Sequence, residues 1–429
     1  RRTARLVAVA DTMRRQPGGT LPNKLHEPAE LKALYRLCNS DDVTHEAILA
    51  PHRDKTLESM EGQQRHLLVL HDTTTLDYST LESLEGLGRI GNGNGRGYLC
   101  HNSLVVEPKG RTVLGLASQI LHRRANVSKK EGKGAHRERA SRESRLWSQG
   151  TEHLPASKWL VDVCDRGADT FEFLEHELHS GRRFVIRSAY NRRAVLGHGE
   201  KTAPQGLHEI ARNAKVLGSR KINVSGAPGR KARTVKVYVS ATAVQIVAPR
   251  QRMGNHGNDP LPVWIVRVWE PHPRKGKKPL EWFLLTNYPA EEFSAAKRVC
   301  IWYECRWIVE EYHKAMKTGC GVETLQFQSE EAQKPAIALL SVLALTLLNL
   351  RDAARQPDAK TKKATDIVDR TYVRVLSTKR YKKDRDDLTI HEFFYALARL
   401  GGHQNRRSDH RPGWLILWRG WEKLQHMVE

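Results

Sequence analysis

No CxxC pair occurs among the six cysteines, Cys38, Cys100, Cys164, Cys300, Cys305 and Cys320. That spacing suggests neither a zinc framework nor a disulfide-stapled scaffold, and it fits a reducing cytoplasm. Long apolar runs are equally scarce. The longest, Ala336 to Leu350, falls short of the roughly 20 residues that a membrane span requires and reads as a buried helix. No secretory signal opens the chain and no fixed-period repeat runs through it. The chain starts at Arg1 instead of methionine, so part of the natural N-terminus is expected to be missing. Acids are in short supply too: 48 Asp and Glu face 71 Lys and Arg, a net charge of +23. An excess of that size points to a polyanion, nucleic acid being the commonest, over a merely basic soluble protein.

What is present has a definite order. The first 60 residues alternate helical apolar spacing with turn residues. HLLVLHDTTTLDY then reads as a short buried strand delivering Asp72 at its C-terminal end. GLGRIGNGNGRGY contains GxGxG but no helix follows it, so a tight loop into the next strand is expected, not a dinucleotide site. Two β-rich segments flank Pro108-Lys109-Gly110 as a hairpin. The charged tract from His122 to Trp147 leads into a helix, either as a solvated loop or as a DNA contact. KWLVDVCDRGADTFEFLEHEL is a strand ending in Asp165 and then a helix; GRRFVIRSAY is a further strand. From about Asn191 the pattern becomes alternating and antiparallel, and after EWFLLTNYP it returns to helix. The tail mixes lysine-rich loops with amphipathic helices.

Two strand-end aspartates and a distant helical glutamate suit phosphodiester chemistry. Two divalent ions would activate the attacking oxygen and stabilise the leaving one, and hard ions such as Mg²⁺ prefer carboxylates to cysteine or histidine. Many strands nevertheless end in Asp for turn reasons. In YECRWIVEEYHKAMKTGC, read as one helix, Tyr303, Arg306, Glu310, Lys314 and Lys317 share a stripe about 80° wide. Cys305, Ile308, Val309, Tyr312 and Met316 face the other way, and Glu304 and Glu311 lie to one flank. Helical geometry thus singles out Glu310 over its neighbour, but it leaves open a surface helix laced with the ion pairs Arg306–Glu310 and Glu310–Lys314.

The spacing Tyr303-x2-Arg306-x3-Glu310-x6-Lys317 resembles the Y-R-E-K signature of the insertion-sequence-four family of bacterial transposases. HDTTTLDY and VCDRGAD resemble that family's two aspartate motifs, in the correct order, and similarity at both ends extends the resemblance over almost the whole chain. It implies an α/β fold with a ribonuclease H-like catalytic core (residues 61–190 and 280–351) interrupted by a β-rich insertion (191–279). A helical DNA-end-binding region (1–60) and a helical dimerisation region (352–429) would flank it. By the same resemblance Asp72, Asp165 and Glu310 would be the catalytic triad holding two Mg²⁺, with Mn²⁺ able to substitute. Tyr303, Arg306 and Lys317 would grip DNA-end phosphates with Lys314 beside them. Trp282 would stack on a flipped-out base and Arg187 would touch end DNA.

The implied activity is cut-and-paste transposition: nicking, hairpin formation, hairpin opening and strand transfer. It would act on double-stranded terminal inverted repeats and target DNA, in a synaptic homodimer, in the bacterial cytoplasm at the nucleoid and without a membrane. A ribonuclease H-fold DNA nuclease would share the triad without needing the Tyr303/Arg306/Lys317 stripe or Trp282. A non-catalytic DNA-binding regulator descended from a transposase would have lost an acid, and none is missing.

Overall fold

Four helices open the chain, α1 (Arg2–Arg15), α2 (Leu21–Lys24), α3 (Pro28–Cys38) and α4 (His45–Glu58). The last begins where the Thr44 hydroxyl accepts from the Ala47 amide at 3.1 Å, an N-cap that satisfies one of the orphan donors of the first turn. The computed structural model describes residues 2–16, 18–82, 84–125, 127, 130–197, 203–224, 233–251, 254–273, 279–406, 409 and 411–428. Residues 126 and 128–129 of the charged tract and 198–202, 225–232, 252–253 and 274–278 of the β-rich stretch lie outside them.

Twelve described strands form one mixed sheet. They are β1 (Leu67–Asp77), β2 (Gly88–Arg89), β3 (Arg96–Glu107), β4 (Thr112–His122), β5 (Leu160–Cys164), β6 (Arg183–Arg187), β7 (Arg193–Leu196), β8 (Gln205–Gly206), β9 (Val216–Val224), β10 (Arg233–Ile246), β11 (Leu261–Trp269) and β12 (Glu281–Thr286). The order is β2-β3-β1-β5-β6-β12-β11-β10-β7-β8, with β4 on β3 and β9 on β10. β1, β5 and β6 run parallel, whereas β3 and β12 flank them antiparallel. The expected hairpin is β3–β4, closed by Glu107 opposite Thr112.

Between strands lie α5 (Lys133–Glu138), α6 (Leu146–Gln149), α7 (Phe171–His179) and α8 (Leu207–Asn213). After β12 come α9 (Phe293–Cys305), α10 (Trp307–Lys314), α11 (Glu330–Ala353), α12 (Arg370–Tyr381), α13 (Ile390–Leu400) and α14 (Trp414–Val428). Helix α11 is long and apolar enough to cross a membrane by length and composition, but most of its apolar stretch is buried within the protein. One large core joins α1, α3, α9, α10 and α11 to one face of the sheet. α7 and α8 pack on the opposite face, and the last three helices have a core of their own.

Two expectations need correction. Asp72 lies mid-strand: β1 loses its parallel partner after Leu70–Val163 but runs on to Asp77 against β3. Three consecutive threonines, 73 to 75, suit that extended stretch. Nor is 303–320 one regular helix. At Arg306 the ladder tightens to i→i+3 bonds, Arg306 N to Tyr303 O at 3.1 Å and Val309 N to Arg306 O at 3.2 Å. A π-helical turn, Ala315–Gly319, follows α10. The tight turn over-winds the chain at that point.

Candidate functional site

Period-two alternation assembles the site. Leu68 and Leu70 of β1, Val161 and Val163 of β5, Val185 of β6 and Leu284 of β12 all point into the core beneath α9–α11. Two residues further on, with the same parity, come Asp72, Asp165, Arg187 and, backwards along β12, Trp282. The parallel registers pair Leu70 with Val163 and Cys164 with Ile186. Continued by one or two residues, they set Asp72 beside Asp165 and Asp165 beside Arg187. Arg187 in turn faces Leu284. On the other side Asp72 is opposite Asn102 and Asn102 is opposite Gln119. A row of polar groups therefore crosses the sheet where its apolar rows end, on the face covered by α10.

Arg306 joins the row to the helix. Its Nη1 donates to Asp72 Oδ2 at 3.1 Å and its Nη2 to Glu310 Oε1, so one guanidinium bridges two of the three acids. Asp72 also accepts the Thr73 amide at 2.9 Å. Asp165 caps the short turn Arg166–Ala168 by accepting from Gly167 N at 2.7 Å. Burial pushes the Asp72 carboxyl up to about 6; Arg306 opposes the shift, while Asp165 and Glu310 add to it. Burial works against the charge on Arg306, yet Tyr303, Asp72 and Glu310 hold its pKa above the ordinary value.

A cavity of about 320 Å³ opens beside Glu310, lined by Thr74, His313, Lys314, Lys317, Thr318 and Glu323. Lys317 Nζ lies 2.9 Å from both Thr75 O and Glu323 Oε1, so it tethers the π-helical turn to β1. Lys314 is exposed, with its ammonium 5.4 Å from the Trp307 ring centroid. A larger cleft, about 520 Å³ between α6 and α7, has no part in this row.

Glu311 takes no part in the cavity. It is buried and pairs with Arg351 of α11, which also holds Asp352. Tyr312 Oη donates to Ser341 O at 3.1 Å, and His313 Nε2 meets Asn102 Nδ2 at 3.1 Å. Three consecutive residues thus each bind a partner outside α10, fixing the rotation of an eight-residue helix that is irregular at both ends. Glu310 is left on the side of Asp72, joined to it through Arg306. Burial, with Lys317 and Arg306, pushes His313 down to about 3, so its imidazole is neutral at physiological pH.

The structure brings together Asp72, Arg306 and Glu310 by contact, Lys317 by the cavity it lines with Glu310, and Asp165 and Arg187 by continuation of the strand register. Tyr303 is not among the residues that line the cavity, but it acts on the Arg306 guanidinium. It is buried at 6 % exposure and meets the half-buried Trp282 edge-on, with ring centroids 5.4 Å apart. The Glu310–Lys314 pair is not found among the described ion pairs. Arg187 Nε is buried with no hydrogen-bond partner among the described residues, an unspent donor in line with Asp165. Sequence reasoning passed over Trp307, a bulky ring left 46 % exposed at the start of α10. Asn102, Gln119 and His313 also escaped it, because each becomes conspicuous only when β3, β4 and α10 are brought together.

As a donor set the three carboxylates are hard oxygen ligands suited to Mg²⁺; the upward shift of Asp72 comes first from its burial, with Asp165 and Glu310 adding to it. Among the described residues, no three Asp, Glu, His or Cys side chains are gathered closely enough to hold one ion. Arg306 takes the position between Asp72 and Glu310 instead.

Residues 1–43 match a family model described as transposase DNA-binding. The match spans α1, α2, α3 and the turn before α4, and it supports a transposase with DNA as its partner. This segment packs against the turn that follows α10. Lys24 of α2, which burial pushes down to about 8, donates to Gly18 O and Gly19 O. A Cβ on Gly321, just past the π-helical turn, would stand 2.7 Å from Gly19 O.

Proposed function

We propose that the chain is a cut-and-paste DNA transposase of the insertion-sequence-four family, with Asp72, Asp165 and Glu310 as its catalytic acids. One observation carries this reading: two aspartates, each two residues beyond the last parallel pair Leu70–Val163, lie near a helix whose glutamate shares an arginine with the first of them. The order β4-β3-β1-β5-β6, three antiparallel strands followed by two parallel to the first, supports a ribonuclease H-like core for that site.

The three carboxylates would hold two Mg²⁺ ions, with Mn²⁺ as a substitute, which supply an activated oxygen nucleophile and a stabilised leaving oxygen. The chain's own groups supply the rest. Arg306 exchanges its carboxylate partners for a DNA phosphate, since a guanidinium fits either in a bidentate fork. That exchange frees the acids as DNA arrives. Lys314, Lys317 and Arg187 neutralise phosphates around the cavity. Trp282, held edge-on by Tyr303, offers a stacking face for an unpaired base near the site, which a tight hairpin at a cut end requires. Tyr303 acts by holding that ring, not by lining the cavity. The C-terminal helices would join two copies into the synaptic dimer.

Incubating the full chain with Mg²⁺ and the inverted repeats that flank its gene tests the reading. Hairpin-ended products are expected. Plain nicks on any branched DNA would instead favour a nuclease, and retained binding with no Mg²⁺-dependent cleavage would overturn both.

A further inference from the structure

A chain of hydrogen-bonded amides and imidazoles runs from the start of α4 to α10. His45, the first residue of α4, places Nε2 3.1 Å from Gln119 Oε1. Gln119 Nε2 donates to Asn102 Oδ1 at 2.8 Å. Asn102 Nδ2 then reaches His313 Nε2 at 3.1 Å.

The direction of the chain follows from second acceptors. Asn102 Nδ2 also lies 3.3 Å from the Cys100 carbonyl and Gln119 Nε2 lies 3.9 Å from Met316 Sδ, so both amide nitrogens are fixed as donors. His45 must then donate to Gln119, and His313 must accept at Nε2, carrying its proton on Nδ1. Each link has one workable orientation, and Gln119, Asn102 and His313 are buried. Breaking a link strands a polar group away from water, which makes the chain stiff.

Its two ends are functionally distinct. His45 lies two residues beyond the matched DNA-binding segment and shares its helix start with the Thr44 cap. His313 lies one turn beyond Glu310 on a helix whose ends are both irregular.

We propose that His45, Gln119, Asn102 and His313 form a positioning relay, which couples the seating of DNA on the N-terminal helices to the rotation of α10 that aims Glu310 at Asp72. None of the four touches the reacting atoms; they act through the helix that carries the acid. The relay rests on the transposase reading for the reaction it tunes, but not for its existence as a coupling between two parts of the fold.

The test uses the full chain and a duplex that the wild-type chain selects from a random-sequence pool. His45→Ala, His313→Leu, their double variant and the conservative His313→Gln are compared by duplex Kd, by Mg²⁺-dependent nicking at saturating duplex, and by amide hydrogen exchange of 307–314 with and without duplex. Each disruptive single variant is expected to slow nicking at saturation roughly tenfold, with Kd within about twofold, the size of an energetic coupling carried between sites. The double variant should be no slower than the slower single, because both cut one chain. His313→Gln, which keeps an acceptor, should stay near wild type. Duplex should protect 307–314 from exchange in the wild type but not in His45→Ala.

Losses that simply multiply in the double variant, or that appear only in Kd, would overturn the relay. So would protection of 307–314 that survives in His45→Ala. If the wild type binds but never nicks, the transposase reading fails, and the exchange measurement alone decides the relay.

Discussion

Adjacent glutamates on one helix have opposite fates. Glu310 faces the aspartates through Arg306, whereas Glu311 is buried against Arg351. Glu310→Ala is therefore expected to abolish cleavage while leaving unfolding free energy within about 0.5 kcal/mol, as for a change outside the core. Glu311→Ala should cost on the order of 2 kcal/mol, because Arg351 stays buried with only Asp352 to hold it. Urea unfolding of both variants distinguishes them, and an equal loss would mean that the rotation of α10 is misassigned. Asp72 yields a pH test. Its folded pKa of about 6 lies above the ordinary 3.8, so the folded state favours the protonated form and stability is lost as pH rises from about 4 to about 6. Asp72→Asn removes that loss. Without divalent ions it should gain on the order of 1 to 3 kcal/mol on the wild type at pH 7 relative to pH 4, less what Arg306 forfeits. A difference independent of pH would contradict the shift. Geometry read from sequence alone favoured Glu310. The reason Glu311 stays inside was hidden, because Arg351 lies forty residues away in the chain.

Among elements, the strand and helix order was legible because apolar periodicity switches between two and 3.6 along the chain. β5 and its aspartate, the β3–β4 hairpin and the buried α11 all carry that signature. What could not be read was the break at Arg306, where no proline or glycine marks the change. The tight turn there and the π-helical turn after Lys314 arise from how α10 packs on β1 and α11. Just before the break, Tyr303 packs edge-on against the Trp282 ring. Trp282→Ala should therefore impair hairpin formation at least about tenfold more than the first nick, base stacking contributing roughly 1–3 kcal/mol. Tyr303→Phe, which keeps the ring contact, should remain near wild type in both steps. Single-turnover assays that resolve nick from hairpin decide this, and a strong defect in Tyr303→Phe would restore its hydroxyl as a phosphate contact.

On the scale of the whole molecule, the β-rich stretch after Asn191 does not form a sheet of its own. Its strands β7–β11 extend the sheet that carries Asp72 through β12, a continuity that local alternation cannot reveal because pairing partners lie far apart in sequence. The N-terminal helices likewise pack against α11 and approach the turn after α10. A net charge of +23 predicts binding dominated by counterion release. Affinity for duplex should fall about a thousandfold or more between 50 and 200 mM salt if six or more phosphates are neutralised; a flat salt response would argue against DNA as the main partner. The most direct test of the central claim compares the wild type with Asp72→Asn, Asp165→Asn and Glu310→Gln on one end duplex, measuring binding and Mg²⁺-dependent strand cleavage in parallel. All four proteins are predicted to bind, with cleavage confined to the wild type. Undiminished cleavage by any of the three variants would contradict the account.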